Sequence, residues 1–273
     1  MSLAESKQEF RRRVSPAREF RRQLRIRRNL ERIIYRELVK VFRDWLGSTL
    51  YLYTEFGTYQ SGVAAGRLQA EIQPTLTNFY KRIFQTVIES NVSINEKKNE
   101  QKQEEVMVFG RSINFEELVD EYFINRELVL ANISRTLAIR IDRIIQEGRA
   151  RDLSVAQIAR DVQSVLGPAI RSRANLIART ETHNAASFAN HRYYQTVSDE
   201  LEITMKKQWV ASGDLRTSDF HQEASGTIKD MDEPFEIDGE LLNHPGDSSL
   251  GASAKNVVNC RCVLVYADER DLD

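Results

Sequence analysis

The sequence predicts an α+β protein, with a long-helical N-terminal region followed by a small mixed α+β C-terminal domain. Two observations support this prediction. Apolar residues recur at helical spacing over long stretches of residues 16–197. After residue 200 the apolar runs shorten, and glycine and aspartate separate strand-like segments. We place the boundary near Gly148, which gives a mostly helical region at 1–148 with a basic N-terminal arm and a second domain at 149–273.

The first predicted helix, residues 16–46, follows the basic arm and is itself rich in arginine. Residues 1–46 contain fourteen Lys and Arg against six Asp and Glu, which gives +8 there and leaves −9 on the rest of the 273-residue chain. This asymmetry favours an arm that binds an anionic partner. The alternative is a solvated helix face on which arginine serves as a good helix former. The arginines assigned to the contact are Arg11, Arg12, Arg13, Arg18, Arg21, Arg22, Arg25 and Arg28.

The middle of the chain predicts further helices. Residues 47–66 are rich in Gly, Ser, Thr and Tyr and predict a loop or short strands. Pro74 fits the first turn of the next helix. Residues 95–105 are polar and of low complexity, which indicates a linker. Asn114 and Glu117 then resemble a capping box, opening a helix towards Gln146.

Two more helices complete the helical part of the pattern. The helix that opens at Asn114 has a break in phase near Asn125, and Gly148 is its expected stop. Ser154 and Gln157 form a second capping box, and Gly167-Pro168 ends the helix that it starts. The next helix is predicted over 171–197.

The C-terminal part predicts strands at 207–211 and 262–266. Asp214 to Ser218 predicts a turn closed by hydrogen bonds of the aspartate side chain, and Pro245-Gly246-Asp247 predicts another turn. Both turns would place polar groups at the edge of a small sheet.

The helix at 171–197 carries two polar residues on a face that is otherwise small and apolar. These are Glu181 and Asn184. A carboxylate on such a face needs a partner, because burial of an unpaired charge is costly. Arg216, Arg261 or a backbone turn are the candidates, since Arg179 is too close in sequence to face Glu181. A structural polar network and general acid–base chemistry both remain open for these residues.

The chain's two cysteines, Cys260 and Cys262, point to one face if 260–266 is a strand. A disulfide between them would be strained. Zinc would require two further ligands, and His221 and His244 are the natural candidates. The alternative is a pair of buried free thiols that pack a small core.

Other function classes leave no trace in the sequence. It has no Gly-x-Ser-x-Gly, no P-loop and no Gly-x-Gly-x-x-Gly. No apolar run approaches the roughly 18 residues of a membrane span, and the N-terminus shows no secretory signal. With two cysteines only, we expect a soluble protein made in a reducing cytoplasm.

Residues 150–266, a little under half of the chain, contain a series of motifs: Ser-Val-Ala-Gln-Ile-Ala (154–159), Arg-x-x-x-Ile-Ala-Arg-Thr-Glu-Thr (173–182), Gln-Trp-Val-Ala (208–211), Asp-x-Arg-Thr (214–217), His221 with Gly226, Pro-Phe (234–235), His-Pro-Gly (244–246) and Asn-Cys-Arg-Cys (259–262). In this order they resemble the phage Mu F-like head morphogenesis domain, which occurs in minor head proteins of tailed phages. Within them we select as structural motif residues Arg179, Thr180, Glu181, Asn184, Trp209, Asp214, Arg216, His221, Asn259, Cys260, Arg261 and Cys262.

The resemblance implies a virion protein at or near the portal vertex, made in the cytoplasm of a host bacterium. It implies a role in capsid assembly and in DNA packaging or ejection. The implied partners are the portal protein, packaged double-stranded DNA and other head or scaffold proteins, with no membrane. The basic arm would then lie against DNA phosphates or against an acidic surface of the portal ring.

The resemblance also bears on the metal site and on catalysis. Many members carry Cys-x-x-Cys where this chain has Ser218-Asp219-Phe220-His221, so Ser218 replaces one thiolate. We therefore expect no cofactor, with a zinc ion at His221, Cys260 and Cys262 as the alternative. We expect no enzyme; the alternative is a metal-dependent phosphodiesterase that uses Glu181, His183 and His221.

Overall fold

The computed structural model of the chain describes residues 15–92, 104–124, 126–214 and 217–269. The fold is α+β and mostly helical, as predicted. The helices are α1 (Pro16–Phe56), α2 (Ser61–Val92), α3 (Phe115–Ile124), α4 (Glu127–Ala150), α5 (Val155–Leu201), α6 (Asp219–Glu223) and α7 (Ala254–Val257). The strands are β1 (Glu105–Val108), β2 (Arg111–Asn114), β3 (Met205–Val210), β4 (Ile228–Asp230), β5 (Phe235–Ile237), β6 (Glu240–Leu242) and β7 (Val263–Asp268).

The chain divides into two compact units, and each is assembled from separate segments. The first unit takes the chain up to Glu31, Tyr80–Tyr122 and the chain from Arg179 onwards. The second takes Arg32–Phe79 and Phe123–Ala178. The boundary near Gly148 stays a prediction. Most of the predicted linker at 95–105 lies outside the described residues, and none of the described helices is long and apolar enough to cross a membrane.

Residues 47–56 and 61–66 are helical and only 57–60 form a loop, so the prediction of a loop or short strands is wrong for most of this range. α1 occupies the first part of this range and α2 the last part. The indole N–H of Trp45 donates to the carbonyl oxygen of Ala64 at 2.9 Å, and both residues are buried. This packing outweighs the weak helix propensity of the glycines. α1 ends next to Gly57, whose φ of 64° only glycine adopts easily.

Two prolines lie inside helices, against prediction. Pro74 is in the interior of α2 instead of its first turn, and α5 continues through Gly167-Pro168 to Leu201. Proline removes one helical hydrogen bond. Because Gly167 has no Cβ, it avoids the clash that disfavours helix before proline. The apolar stripe continues across each proline through buried residues: Ile72 and Leu76, Leu166 and Ile170.

The helix predicted from Asn114 towards Gln146 consists of α3 and α4. The break between them falls where the phase of the pattern changes, near Asn125, which lies outside the described residues. Asn114 caps α3 as predicted: its Oδ1 accepts hydrogen bonds from the backbone N–H groups of Glu116 at 2.8 Å and Glu117 at 3.3 Å.

The turn between α4 and α5 also follows the predicted capping chemistry. α4 ends at Ala150, two residues beyond the predicted stop at Gly148. Gln157 Oε1 accepts the Ser154 N–H at 2.9 Å, and the Gln157 N–H donates to Ser154 Oγ at 3.3 Å. A Cβ on Gly148 would lie 2.6 Å from Cγ1 of Ile158, so glycine allows α4 and α5 to approach closely.

The small sheet of the first unit has the antiparallel order β4-β3-β7. β3 and β7 confirm the strands predicted at 207–211 and 262–266, with their ends shifted by up to two residues. β3 buries alternate residues, Met205, Lys207 and Trp209, whereas β7 is buried on both faces. β5 and β6 form a separate hairpin.

Candidate functional site

The Arg-Thr-Glu-Thr-His-Asn motif of α5 lies in the buried centre of the first unit. Residues 180–184 are all buried. The Tyr80 hydroxyl donates to Oε2 of Glu181 at 2.8 Å. The backbone N–H of Asn259 donates to Oγ1 of Thr180 at 3.2 Å. The motif therefore joins α2 and the Asn-Cys-Arg-Cys segment to α5, which supports the structural polar network.

The structure shows neither of the arginines predicted to pair with Glu181 in contact with it. Arg261 forms a two-point ion pair with Asp214, at 2.6 and 2.8 Å. Arg216 lies outside the described residues. Arg179 pairs with Glu31 at 3.4 Å. The prediction of a partner for Glu181 was correct, but Tyr80 supplies it, a residue 101 positions away in the chain.

The His-Pro-Gly motif meets the same helix. Gly246 has φ 81°, and a Cβ placed on it would lie 1.9 Å from Oδ1 of Asn184. The backbone N–H of Asp247 donates to the carbonyl oxygen of His244 at 3.0 Å, which confirms the predicted turn. Glycine is required at this position for two reasons, the left-handed backbone and the close approach to Asn184.

His221 and both cysteines meet in one buried cluster. His221 Nδ1 lies 3.4 Å from Sγ of Cys262 and 3.6 Å from Sγ of Cys260. The three ligand atoms lie within 4.8 Å of one another, and no fourth His, Cys, Asp or Glu of the described residues joins the group. Both cysteines precede β7 and do not lie on it, against prediction. Their convergence is set by the turn that starts at Asn259, whose φ is 60°.

The cluster is enclosed by aromatic side chains. The Trp209 ring packs edge-on against His221 with 5.5 Å between centroids, and against Phe235 at 5.3 Å. His244, the other histidine proposed as a ligand, lies outside the cluster. Its ring packs against His191, with 5.6 Å between centroids.

Asn256 fixes the orientation of the His221 ring. Its Oδ1 lies 3.3 Å from His221 Nε2. Its Nδ2 donates to the carbonyl oxygen of Ile237 at 3.1 Å and to Oε2 of Glu240 at 2.7 Å. Since the amide nitrogen already has two acceptors, the amide oxygen faces the ring and accepts its Nε2–H. His221 Nδ1 therefore faces the two sulfurs.

The two thiols have different acidities. The hydrogen bond from Cys260, together with His221, lowers the pKa of Cys262 to about 5 despite burial. The same hydrogen bond and burial raise the pKa of Cys260 well above its ordinary value. Burial lowers the pKa of His221, but the hydrogen bond and charge of Cys262 together with the hydrogen bond of Asn256 outweigh it, and the net direction is upward. Metal ions bind the thiolate form of cysteine, and the lowered pKa of Cys262 favours that form.

Arg27 of α1 is a buried cation beside this cluster that sequence reasoning missed. Its guanidinium donates to Nδ1 of His183 at 2.8 Å, to the carbonyl oxygen of Cys262 at 3.3 Å and to Oγ of Ser187 at 3.1 Å. Burial lowers its pKa to about 10. Arg27 belongs to the same basic run as the assigned contact arginines, and no local signal separates it from them.

An open pocket of about 400 Å³ lies next to the cluster. Four arginines contribute to its wall, and two of them are neutralised by the pairs Arg179–Glu31 and Arg261–Asp214. The pocket is lined by Phe20, Leu24, Arg27, Arg28, Glu31, Arg179, Thr182, His183, Ser212, Asp214, Cys260 and Arg261. Its wall therefore keeps an excess of positive charge.

The assigned contact arginines fall into three groups. Arg11, Arg12 and Arg13 lie outside the described residues. Arg22 is half-buried and bonded to Glu19, Ser90 and Asn91, so it holds the fold together. The remaining four are exposed, follow helical spacing along one face of α1 and form no ion pair with a described residue; we call them the basic face, Arg18, Arg21, Arg25 and Arg28.

The three side chains proposed for phosphodiester hydrolysis do not converge on a common point. Glu181 accepts from Tyr80, His183 contacts Arg27, and His221 faces the cysteines. The described metal-ligand cluster contains His221 but neither of the other two. The geometry gives this catalytic alternative no support.

Lys207 is a further residue that sequence reasoning missed. Its side chain is fully buried, and Nζ donates to the carbonyl oxygens of Met231 at 3.0 Å and Asn243 at 3.1 Å. Strand alternation with the buried Trp209 was the available signal for its inward orientation. Asn256, by contrast, lies in a short helix and had no signal.

Comparison with known proteins finds matches for the C-terminal half of the chain. Residues 137–265 match the family described as "Phage Mu protein F like protein". The chain is 33% identical over 129 residues to a protein named NAD(+)--arginine ADP-ribosyltransferase EFV from Enterococcus faecalis, covering 47% of this chain and 26% of that protein. It is 36% identical over 98 residues to the uncharacterized protein YqbB from Bacillus subtilis, covering 34% of this chain and 30% of that protein.

The chain thus spans less than a third of the length of either relative. No solved structure matches it. The family match begins in α4, includes the whole of α5 and ends in β7, so it contains the α5 motif, His221 and both cysteines. Residues 137–265, a little under half of this chain, therefore resemble the phage Mu protein F-like family.

Proposed function

We propose that the protein is a minor head protein of a tailed phage, which acts at the portal vertex in capsid assembly and in DNA packaging or ejection. The observation that carries this proposal is the phage Mu protein F-like domain at residues 137–265. The partners are the portal protein, other head or scaffold proteins and packaged double-stranded DNA. The protein is made in the host cytoplasm and becomes part of the virion near the portal.

The basic face of α1 supports a contact with packaged DNA. Arg18, Arg21, Arg25 and Arg28 are exposed at spacings of three and four residues. Such a row matches a phosphate backbone, and it contains no element that reads base edges. We therefore expect binding without sequence preference and with a steep dependence on salt.

A charge-removal variant tests this contact. Replacement of Arg18, Arg21, Arg25 and Arg28 by glutamine should weaken binding to duplex DNA and reduce the slope of log K against log salt by up to about 3.6, at about 0.9 per lost phosphate contact. The measurement is a fluorescence-anisotropy titration at several salt concentrations. Two duplexes of different sequence should give the same result.

A matched control keeps the net charge equal. Arg135, Arg140, Arg143 and Arg171 are exposed residues on α4 and α5, and their replacement by glutamine removes the same four charges. This control should keep the wild-type salt slope. Equal loss in both variants would show that net charge and not the basic face governs binding, and an unchanged slope in the first variant would exclude the DNA contact.

Co-purification from procapsids tests the portal association. A tagged copy of the protein should bring down the portal protein at low copy number, and the portal should be recovered before DNA enters the head. Absence of the portal protein across salt and detergent conditions would reject this part of the proposal. If the basic face docks on an acidic portal surface instead, the four-arginine variant would lose the portal and keep its DNA salt slope.

The transferase name of the Enterococcus faecalis relative does not extend to this chain. The matched region is 26% of that protein. The Glu181, His183 and His221 arrangement supports no hydrolase either, since each side chain is held by a different partner. The proposal is therefore a structural protein and not an enzyme.

A further inference from the structure

The cluster of His221, Cys260 and Cys262 brings together residues from two distant segments. His221 lies in α6, and the cysteines lie 39 and 41 positions later, before β7. All three are buried. Two soft sulfur ligands and one imidazole at a single point are a typical donor set for zinc.

The spacing of the donor atoms fits a tetrahedral ion. Zinc binds sulfur at about 2.3 Å and imidazole nitrogen at about 2.0–2.1 Å, so a tetrahedral site places its nitrogen and sulfur about 3.6 Å apart. The observed distances from His221 Nδ1 are 3.4 Å to Cys262 and 3.6 Å to Cys260. An ion can occupy the centre of these three atoms without a large movement of the backbone.

The second layer of residues is also in place. A metal-binding histidine usually donates its other ring N–H to an acceptor that fixes the tautomer. Here Asn256 Oδ1 takes that position, 3.3 Å from Nε2, and Glu240 holds the Asn256 amide at 2.7 Å. This chain of contacts turns Nδ1 towards the sulfurs, which packing of two free thiols would not require.

We propose that His221, Cys260 and Cys262 bind one zinc ion, with the fourth position filled from solvent. The described residues offer no fourth His, Cys, Asp or Glu at this point. Ser218 caps α6 through its Oγ, which accepts the His221 N–H at 3.4 Å. The ion joins α6 to the turn before β7, and this turn carries Arg261 into the wall of the neighbouring pocket.

Metal analysis of the full chain tests the site directly. The protein is expressed with added zinc, purified under reducing conditions and passed through a desalting column. Mass spectrometry of the metal should give about one zinc per chain, and X-ray absorption should show two sulfur and two lighter ligands. Less than about one-tenth equivalent after loading, or a shell of four sulfurs from two chains, would overturn the proposal.

Variants assign the ligands. Cys262→Ser and His221→Ala should lose zinc, whereas His244→Gln, which alters the other candidate histidine, should keep it. Because the first two variants can also unfold the small sheet, Asn256→Ala provides a second readout. It leaves all three ligands and should weaken zinc binding by about 10- to 100-fold in a competition with a coloured chelator.

The outcomes separate the zinc site from a pair of buried thiols. Zinc retention in Cys262→Ser, or unchanged zinc affinity in Asn256→Ala, would contradict the proposed ligand geometry. Chelation of the wild type should lower its melting temperature, because zinc binds only the folded chain. The same treatment should leave the melting temperature of folded Cys262→Ser unchanged.

Discussion

At the scale of single residues, Gly246 shows why the His-Pro-Gly motif meets the α5 motif. Alanine at this position would adopt φ 81° and place its Cβ 1.9 Å from Asn184 Oδ1. Left-handed strain and overpacking each cost about 1–3 kcal/mol. We expect Gly246→Ala to lower the free energy of unfolding by about 2–6 kcal/mol, measured by chemical denaturation.

Gly251 is the control for this prediction. Its φ is 88°, and a Cβ there meets nothing within 4 Å, so Gly251→Ala carries the strain without the collision. The difference between the two variants isolates the contact with Asn184. Equal losses would contradict the close approach.

Lys207 makes stability depend on pH. Burial lowers its pKa from the ordinary 10.5 to about 8, so between these values the unfolded chain binds the extra proton. The penalty of the buried charge is present below about pH 8 and is relieved as the pH rises towards 10.5. The free energy of unfolding of the wild type, relative to Lys207→Met, should therefore rise across this window by up to about 3 kcal/mol.

Denaturation of both proteins at a series of pH values measures this difference. Subtracting the free energy of unfolding of Lys207→Met from that of the wild type removes the contributions of the tyrosines, the cysteines and the other lysines, which titrate in both proteins. Lys206→Met is the matched control, because Lys206 is the half-buried neighbour of Lys207 and pairs with Asp230 and Glu269 at the surface. A difference that stays flat for Lys207 would contradict the buried charge.

At the level of single residues, the sequence identified the members of the His–Cys cluster but not the hydrogen bonds that position them. His221 and both cysteines were identified from their residue types and order. The tyrosine that bonds Glu181, the buried Arg27 and the Asn256 that orients His221 were not. Each of these contacts spans many residues of sequence, and neither periodicity nor spacing reports which distant side chain completes a hydrogen bond.

At the scale of elements, the helices contain glycines of two kinds. Gly47 in α1 is exposed, and a Cβ there meets nothing within 4 Å. Gly148 in α4 would place its Cβ 2.6 Å from Ile158. Gly47→Ala should raise the free energy of unfolding by about 0.5–1 kcal/mol through helix propensity. Gly148→Ala should lower it by about 1–3 kcal/mol through overpacking.

Chemical denaturation of the two variants measures both effects under identical conditions. A double-mutant cycle with Ile158→Ala separates the collision from other causes, since alanine lacks the Cγ1 that the new methyl group meets. The losses of the two single variants should therefore together exceed the loss of the double variant. A stabilising Gly148→Ala would contradict the close packing of α4 against α5.

Strands β3 and β7 and the helix caps followed from local chemistry, whereas the other five described strands and several helix ends did not. Asn114 and Ser154 cap helices because their side chains reach backbone N–H groups within one turn. Gly167-Pro168 and Gly47 carry the usual signals of a helix end, yet the helices continue. There the apolar stripe on both sides is buried, and tertiary packing overrides the local preference.

At the scale of the whole molecule, the charge pattern and the family match both favour the proposed phage head protein. The basic run at the start of the chain includes the four exposed arginines of the basic face on α1, and the match to the phage Mu protein F-like family covers 137–265. The α+β class was predictable because helical spacing gives way to short strands at residue 200. The two units were not, because each combines segments that lie far apart in the sequence.

The central claim is that the protein is part of the phage head. Quantitative mass spectrometry of gradient-purified virions, compared with tail preparations from the same lysate, tests it most directly. The account predicts that peptides of this chain accompany the portal protein in heads, in a few copies per particle, and are absent from tails. Their absence from both procapsids and virions, with the protein present in the infected-cell lysate, would contradict it.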